Sequence, residues 1–130
     1  SVLDDTMNEA KSKYSSIASI DIETACKQFK VDIVFNNGTS AKTAEEVSRE
    51  VVKILDSKAG QSAYEGSSYS ELLNKHNGVK QYEVNLYLTG GNDTDYPIYG
   101  TKQAGKDDIG FTLSSVKDQE TTNKAKATEQ

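Results

Sequence analysis

The chain has 130 residues, is 35% hydrophobic and carries a formal net charge of -5 at pH 7. This length is enough for one domain with its own core, so neither a disulfide framework nor a structural metal is needed for folding. A single cysteine excludes an intrachain disulfide and a thiolate-rich zinc site. Arg49 is the sole arginine and acidic residues outnumber basic ones, which argues against nucleic-acid binding.

The composition also bears on where the protein works. No stretch approaches the roughly 18 apolar residues of a membrane span. The chain opens at Ser1 without an initiating Met, which predicts a mature or trimmed form. Its richness in Ser, Thr, Asn, Lys and Tyr resembles the mature part of small envelope lipoproteins and secreted proteins of low-GC Gram-positive bacteria or their phages. That compositional resemblance implies an extracytoplasmic protein that is either secreted or held at the cell surface. A surface protein of this kind could be tethered to the membrane through an N-terminal segment that is not part of this sequence.

The first third of the chain predicts a helix followed by a hairpin. Residues 3–16 place four apolar side chains at helical spacing. Residues 17–25 leave two alternatives, a strand with alternating Ile and acidic residues or a continuation of the helix. Residues 28–36 alternate Phe, Val and Ile with polar residues and carry the strongest strand signal. If both segments are strands, they form a hairpin that turns near residues 25–27.

The main helix is predicted over residues 43–58. Thr43 and Glu46 match a capping box, and Glu45 adds a negative charge to the first turn. A continuous apolar stripe follows, and the helix is expected to end near Lys58, before Gly60. Residues 59–68 are Gly/Ser-rich and predict a loop.

The second half predicts a further short helix and three strands. The helix is expected over residues 69–76, and the strands over residues 81–89, 96–102 and 109–113. The predicted fold is therefore α+β, with a curved antiparallel sheet of four or five strands packed on the main helix. Residues 1–116 form the predicted domain, and residues 117–130 a disordered polar tail.

Catalytic chemistry has little support in the sequence. His76 is the single histidine and is expected at an exposed helix end, where a catalytic partner is not indicated. Cys26 is interpreted as a small buried or turn residue rather than a nucleophile. Paired carboxylates occur in turns and first helical turns, where they are normally solvated or capping. No catalytic residue and no cofactor are predicted.

One turn offers candidate calcium ligands. Asn92, Asp93 and Asp95 present hard oxygen atoms after two glycines, which is the chemistry that calcium prefers. The EF-hand pattern is absent, and the same residues are typical of a hairpin turn. These three residues are therefore weak candidates for a metal site.

The tyrosines give the clearest binding signal. Tyrosine is amphipathic and enriched at protein interfaces. Tyr87, Tyr96 and Tyr99 lie beside the 90–95 turn or on a polar strand face and are the candidate partner-binding residues. A tyrosine-rich sheet face with wetted hydroxyls is the structural alternative.

These signals favour a non-enzymatic, extracytoplasmic binding or accessory domain that contacts another protein. A small enzyme or ligand-binding domain, with a cavity between sheet and helix, is the second hypothesis. A structural subunit with one open strand edge is the third.

Overall fold

A computed structural model describes residues 1–25, 28–64, 82–91 and 94–113. Two helices and five strands lie in this part of the chain, and they confirm the predicted α+β class. In chain order they are α1 (Val2–Lys13), β1 (Ile17–Ala25), β2 (Gln28–Phe35), α2 (Ala41–Tyr64), β3 (Glu83–Gly90), β4 (Ile98–Lys102) and β5 (Ile109–Leu113). None of the helices in the described ranges combines the length and apolar character that a membrane span requires.

The five strands form one sheet in sequence order, β1-β2-β3-β4-β5. Neighbouring strands are antiparallel except for β2 and β3, which are parallel. Antiparallel pairing was predicted throughout, and the parallel β2–β3 pair corrects that prediction. The chain leaves the end of β2, passes through the 24-residue α2 and returns to the start of β3. A crossover of that length is what a parallel pair requires.

The sheet is only weakly curved, less than predicted. Strand curvature is introduced mainly by β-bulges. Here one register shift occurs, between Ile17 and Ser19 in β1, while the registers of the other strand pairs run without interruption. The result is a broad, regular surface.

The predicted hairpin is confirmed, and it resolves the ambiguity over residues 17–25 in favour of a strand. β1 pairs with β2 from Ile17 opposite Phe35 to Ala25 opposite Gln28. The tertiary partner decides this segment, because Ile22 buries its side chain at the position opposite Val31.

The core lies between one face of the sheet and the two helices. Alternate residues of β2 point into it and are almost fully buried: Phe29, Val31, Ile33 and Phe35. The apolar stripe of α2 covers them with Val47, Val51 and Leu55. Glu9 of α1 forms ion pairs with Lys13 at 3.2 Å and with Lys58 of α2 at 3.3 Å, which joins the two helices. These two lysines hold the pKa of the Glu9 carboxyl below its usual value.

Both ends of α2 differ from the prediction. The helix begins at Ala41, because the Ser40 Oγ accepts a hydrogen bond from the Thr43 amide at 3.1 Å. Ser40 is therefore the N-cap, and Thr43 lies inside the first turn instead of capping with Glu46. At the other end the helix continues to Tyr64, past the glycine at position 60. Ala59 is fully buried and extends the apolar stripe by one turn beyond Leu55, which places residue 59 within the helix instead of in the predicted loop.

The remaining strand boundaries shift by one or two residues. β3 spans Glu83–Gly90, and β4 begins at Ile98, just after Pro97. The predicted loop beyond residue 64, the helix over 69–76 and the tail over 117–130 lie outside the described residues. So do Cys26, His76 and the turn positions Asn92 and Asp93.

Candidate functional site

The sheet has two faces of different character. The residues that alternate with the core side chains point to the opposite face, where they are exposed or half-exposed. No described helix packs on this side, because α1 and α2 both lie on the core side. We call this surface the open face.

A pair of tyrosines lies near the middle of the open face. Tyr87 of β3 stands directly opposite Tyr99 of β4. Their ring centroids are 5.1 Å apart and the ring planes are tilted by 31°. The two side chains are 39% and 40% exposed. The pair therefore presents a preformed aromatic surface that costs little conformational entropy to use in binding.

The exposed large hydrophobic side chains of the described residues all belong to this face. They are Tyr87, Tyr99 and Val34, the last of which is 38% exposed. Val34 lies on β2, diagonal to Tyr87, because Asp32 is the residue directly opposite that tyrosine. Single exposed apolar residues are ordinary, but their concentration on one uncovered surface is typical of an interaction site.

A hydrogen-bonded row beside the tyrosines fixes the geometry of the surface. The Asn85 amide donates to the Gln28 side-chain oxygen, and the Thr101 hydroxyl donates to the Asn85 side-chain oxygen at 3.2 Å. Asn85 and Thr101 are paired in register, one row from Tyr87 and Tyr99. Three strands are thus linked by side chains on the open face as well as by their backbones.

Tyr96 does not join the pair. Its side chain is 9% exposed and packs against Phe35, with ring centroids 6.4 Å apart. Its hydroxyl donates a hydrogen bond shared between the carbonyl oxygens of Thr39 at 3.0 Å and Ser40 at 3.2 Å. Burial, followed by the negative charges of Asp95 and Glu45, raises the pKa of Tyr96 to about 12. The structure thus gives Tyr96 an anchoring position between the start of β4 and the start of α2.

A shallow depression of about 290 Å³ adjoins the tyrosine pair at one end of the open face. Tyr87, Thr89, Asn37 and Pro97 contribute to its lining, and Tyr96 reaches it from the core side. The depression extends the surface that a partner could contact beyond the two rings.

A separate cleft of about 410 Å³ lies between α2 and the connection from β4 to β5. It is lined by charges of both signs, including Arg49, Asp56 and Asp107. Arg49 is positioned over the Phe111 ring, 5.1 Å from its centroid, and lies 4.0 Å from the Glu45 carboxylate. Asp107 and Asp108 are exposed, so this is an open, charged cleft at the side of the molecule.

The structure describes one of the three candidate metal ligands. Asp95 is half-buried, whereas Asn92 and Asp93 lie outside the described residues. In the described part of the chain, no three His, Cys, Asp or Glu side chains are grouped closely enough to hold a metal ion. Calcium binding at this turn stays a prediction.

Two residues of the sheet were not singled out from the sequence, one on the open face and one on the core side. Val34 breaks the alternation of β2, since it is an apolar residue on the polar side, and that break was a usable signal. Lys102 was assigned only to the end of a strand, yet it is 1% exposed, with its Nζ 5.2 Å from the centroid of the Tyr82 ring. No described residue accepts a hydrogen bond from this Nζ. Lys102 has the same parity as the buried Ile98, so the alternation of β4 was a usable signal for its burial.

Comparison of the chain with protein-family models, with curated proteins and with solved structures finds no match.

Proposed function

We propose that this protein is a non-enzymatic binding domain that contacts another protein through the open face of its sheet. The observation that carries the proposal is the exposed Tyr87–Tyr99 pair on a surface that no described helix covers. Tyrosine is enriched at protein interfaces and among the residues that contribute most of their binding energy.

The weak curvature of the sheet supports the same proposal. A weakly curved, regular surface suits a protein partner better than a small molecule, which is usually held in a concave and mostly apolar pocket. The depression beside Tyr87 is shallow, and the cleft beside α2 is lined by charged groups.

We further propose that the domain works outside the cytoplasm, at the cell surface or secreted. This part rests on the composition described above. Treatment of intact cells with a protease tests it: an extracytoplasmic domain is degraded while a cytoplasmic marker protein survives. If the protease degrades neither protein, the domain is not exposed at the cell surface. If the domain is also absent from the culture medium, it is not secreted, and the proposed location is contradicted.

Site-specific photo-cross-linking tests the binding surface. A benzoylphenylalanine at position 101 places the reactive group on the open face, one row from the tyrosines. The matched control carries the same group at position 53, where the lysine side chain is 71% exposed on α2. We expect a discrete cross-linked adduct in the expressing cells from position 101 and not from position 53. Equal yields from both positions, or no adduct from position 101, would contradict the proposal.

A further inference from the structure

The charges on the open face define the chemistry of the partner. Across the described strands, four carboxylates project from this face and one ammonium group accompanies them. The carboxylates belong to Asp21, Glu23, Asp32 and Glu83, and the ammonium group to Lys30. Lys30 is paired in register with Glu23, so the net charge of the remaining side chains on the open face is negative.

The row that contains the tyrosines is the most acidic part. It runs from Asp21 through Asp32 to Tyr87 and Tyr99, each residue opposite the next on neighbouring strands. Like charges at directly opposed positions of an antiparallel pair destabilise a sheet. Neither Asp21 nor Asp32 forms an ion pair with another described residue. A cationic group placed over this row would offset the unfavourable placement of the two like charges.

Resting on the proposed function of the open face, we infer that the partner presents a basic segment to this row. An arginine or lysine side chain lies over the Tyr87 and Tyr99 rings, and its neighbours pair with Asp21 and Asp32. A guanidinium group is especially suited, because it stacks on aromatic faces and binds carboxylates through paired hydrogen bonds.

The same charges disfavour the other occupants of such a surface. A second copy of the chain would bring two acidic faces together, and nucleic acid or an anionic membrane would be repelled. Charge complementarity therefore selects a cationic protein segment.

Nuclear magnetic resonance titration of the full ¹⁵N-labelled chain tests this inference. The probes are two acetylated and amidated peptides of equal length, (Gly-Arg)4 and (Gly-Glu)4. We expect saturable shifts of the Tyr87, Tyr99 and Asp32 amide signals with (Gly-Arg)4 only. The dissociation constant is expected to rise several-fold between about 50 mM and about 300 mM NaCl, because exposed charges are screened.

Two double variants separate local from general charge effects. Asp21→Asn with Asp32→Asn is expected to weaken (Gly-Arg)4 binding at least several-fold. Glu46→Gln with Glu50→Gln removes the same charge from α2, on the other side of the sheet, and is expected to change the dissociation constant less than twofold.

Each failure has a distinct meaning. Absence of saturable (Gly-Arg)4 binding, equal shifts with (Gly-Glu)4, or equal effects of the two double variants overturns the inference of a basic partner. The proposed function survives these results if the cross-link from position 101 is still obtained. Loss of that cross-link overturns the proposed function itself.

Discussion

Tyr96 shows how one side chain can join two parts of the fold. Its hydroxyl reaches the backbone just before α2, while its ring packs on Phe35 of β2. Burial of this side chain, followed by the negative charges of Asp95 and Glu45, disfavours the phenolate, so the folded protein retains the proton up to a pKa of about 12.

This raised pKa predicts a pH dependence of stability. An unfolded tyrosine ionises near pH 10, so above that pH the folded state binds more protons than the unfolded state. The free energy of unfolding is expected to fall between pH 10 and pH 12, with about 1 kcal/mol lost by pH 11 through this group. Urea denaturation at pH 8 and pH 11 measures the loss.

Tyr96→Phe is the control for that experiment, because the other tyrosines titrate in the same range. The variant is expected to be less stable at pH 8 by about 1 kcal/mol, through the lost hydrogen bond. Its further loss between pH 8 and pH 11 should be smaller than that of the native chain. An identical pH dependence in both proteins would show that Tyr96 does not retain its proton.

Two glycines with positive φ provide a matched pair. Gly90 and Gly38 have φ angles of 80° and 86°, a region that other residues adopt at a cost. A Cβ at Gly90 would overlap the backbone oxygen of Phe35, whereas a Cβ at Gly38 would meet nothing within 4 Å. Gly38→Ala is expected to cost about 1 kcal/mol of stability and Gly90→Ala at least about 2 to 3 kcal/mol. Equal losses in chemical denaturation would argue against the close approach of β3 to Phe35.

At the scale of elements, the prediction and the structure differ in the residue that caps the start of α2. Ser40→Ala removes the capping oxygen and is expected to cost about 1 kcal/mol. Thr43→Ala affects a residue inside the first turn and is expected to change stability by less than about 0.5 kcal/mol. Thermal denaturation of both variants measures the order. A larger loss for Thr43→Ala would restore Thr43 as the N-cap.

Several elements could be predicted because their signals are local. The alternation of apolar and polar residues identified β2 and β3, and helical spacing identified α1 and α2. The extension of α2 past Gly60 could not be predicted in this way, because glycine has poor helix propensity and residues 59–68 are rich in Gly and Ser. The parallel β2–β3 pair was predictable in principle, since a helix separates the two strands.

At the scale of the whole molecule, the candidate site depends on strand register. Tyr87 and Tyr99 were predicted as candidates, but their pairing needs β3 and β4 to align at those residues. The separate location of Tyr96 follows from alternation, because it has the same parity as the buried Ile98 and the opposite parity to Tyr99. The pairing of Asp21 with Asp32 follows from the hairpin that turns near residues 25–27, but the alignment of this pair with Tyr87 requires the register between β2 and β3, which no single segment encodes.

The open face therefore combines an exposed aromatic pair, an acidic row and a weakly curved sheet. If these features exist for binding rather than for folding, the tyrosines should contribute little to stability. Tyr87→Thr with Tyr99→Thr keeps residues that favour strands and is expected to cost no more than about 1 to 2 kcal/mol.

The most direct test measures stability and cross-linking yield on this same double variant. We expect its free energy of unfolding to stay within about 2 kcal/mol of the native value. In the same double variant, the yield of the adduct from benzoylphenylalanine at position 101 should fall to the yield obtained from position 53. If the double variant unfolds, the tyrosine pair is needed for folding. If the adduct yield is unchanged, the partner binds without the tyrosines. Either result would contradict the open face as a tyrosine-centred binding surface.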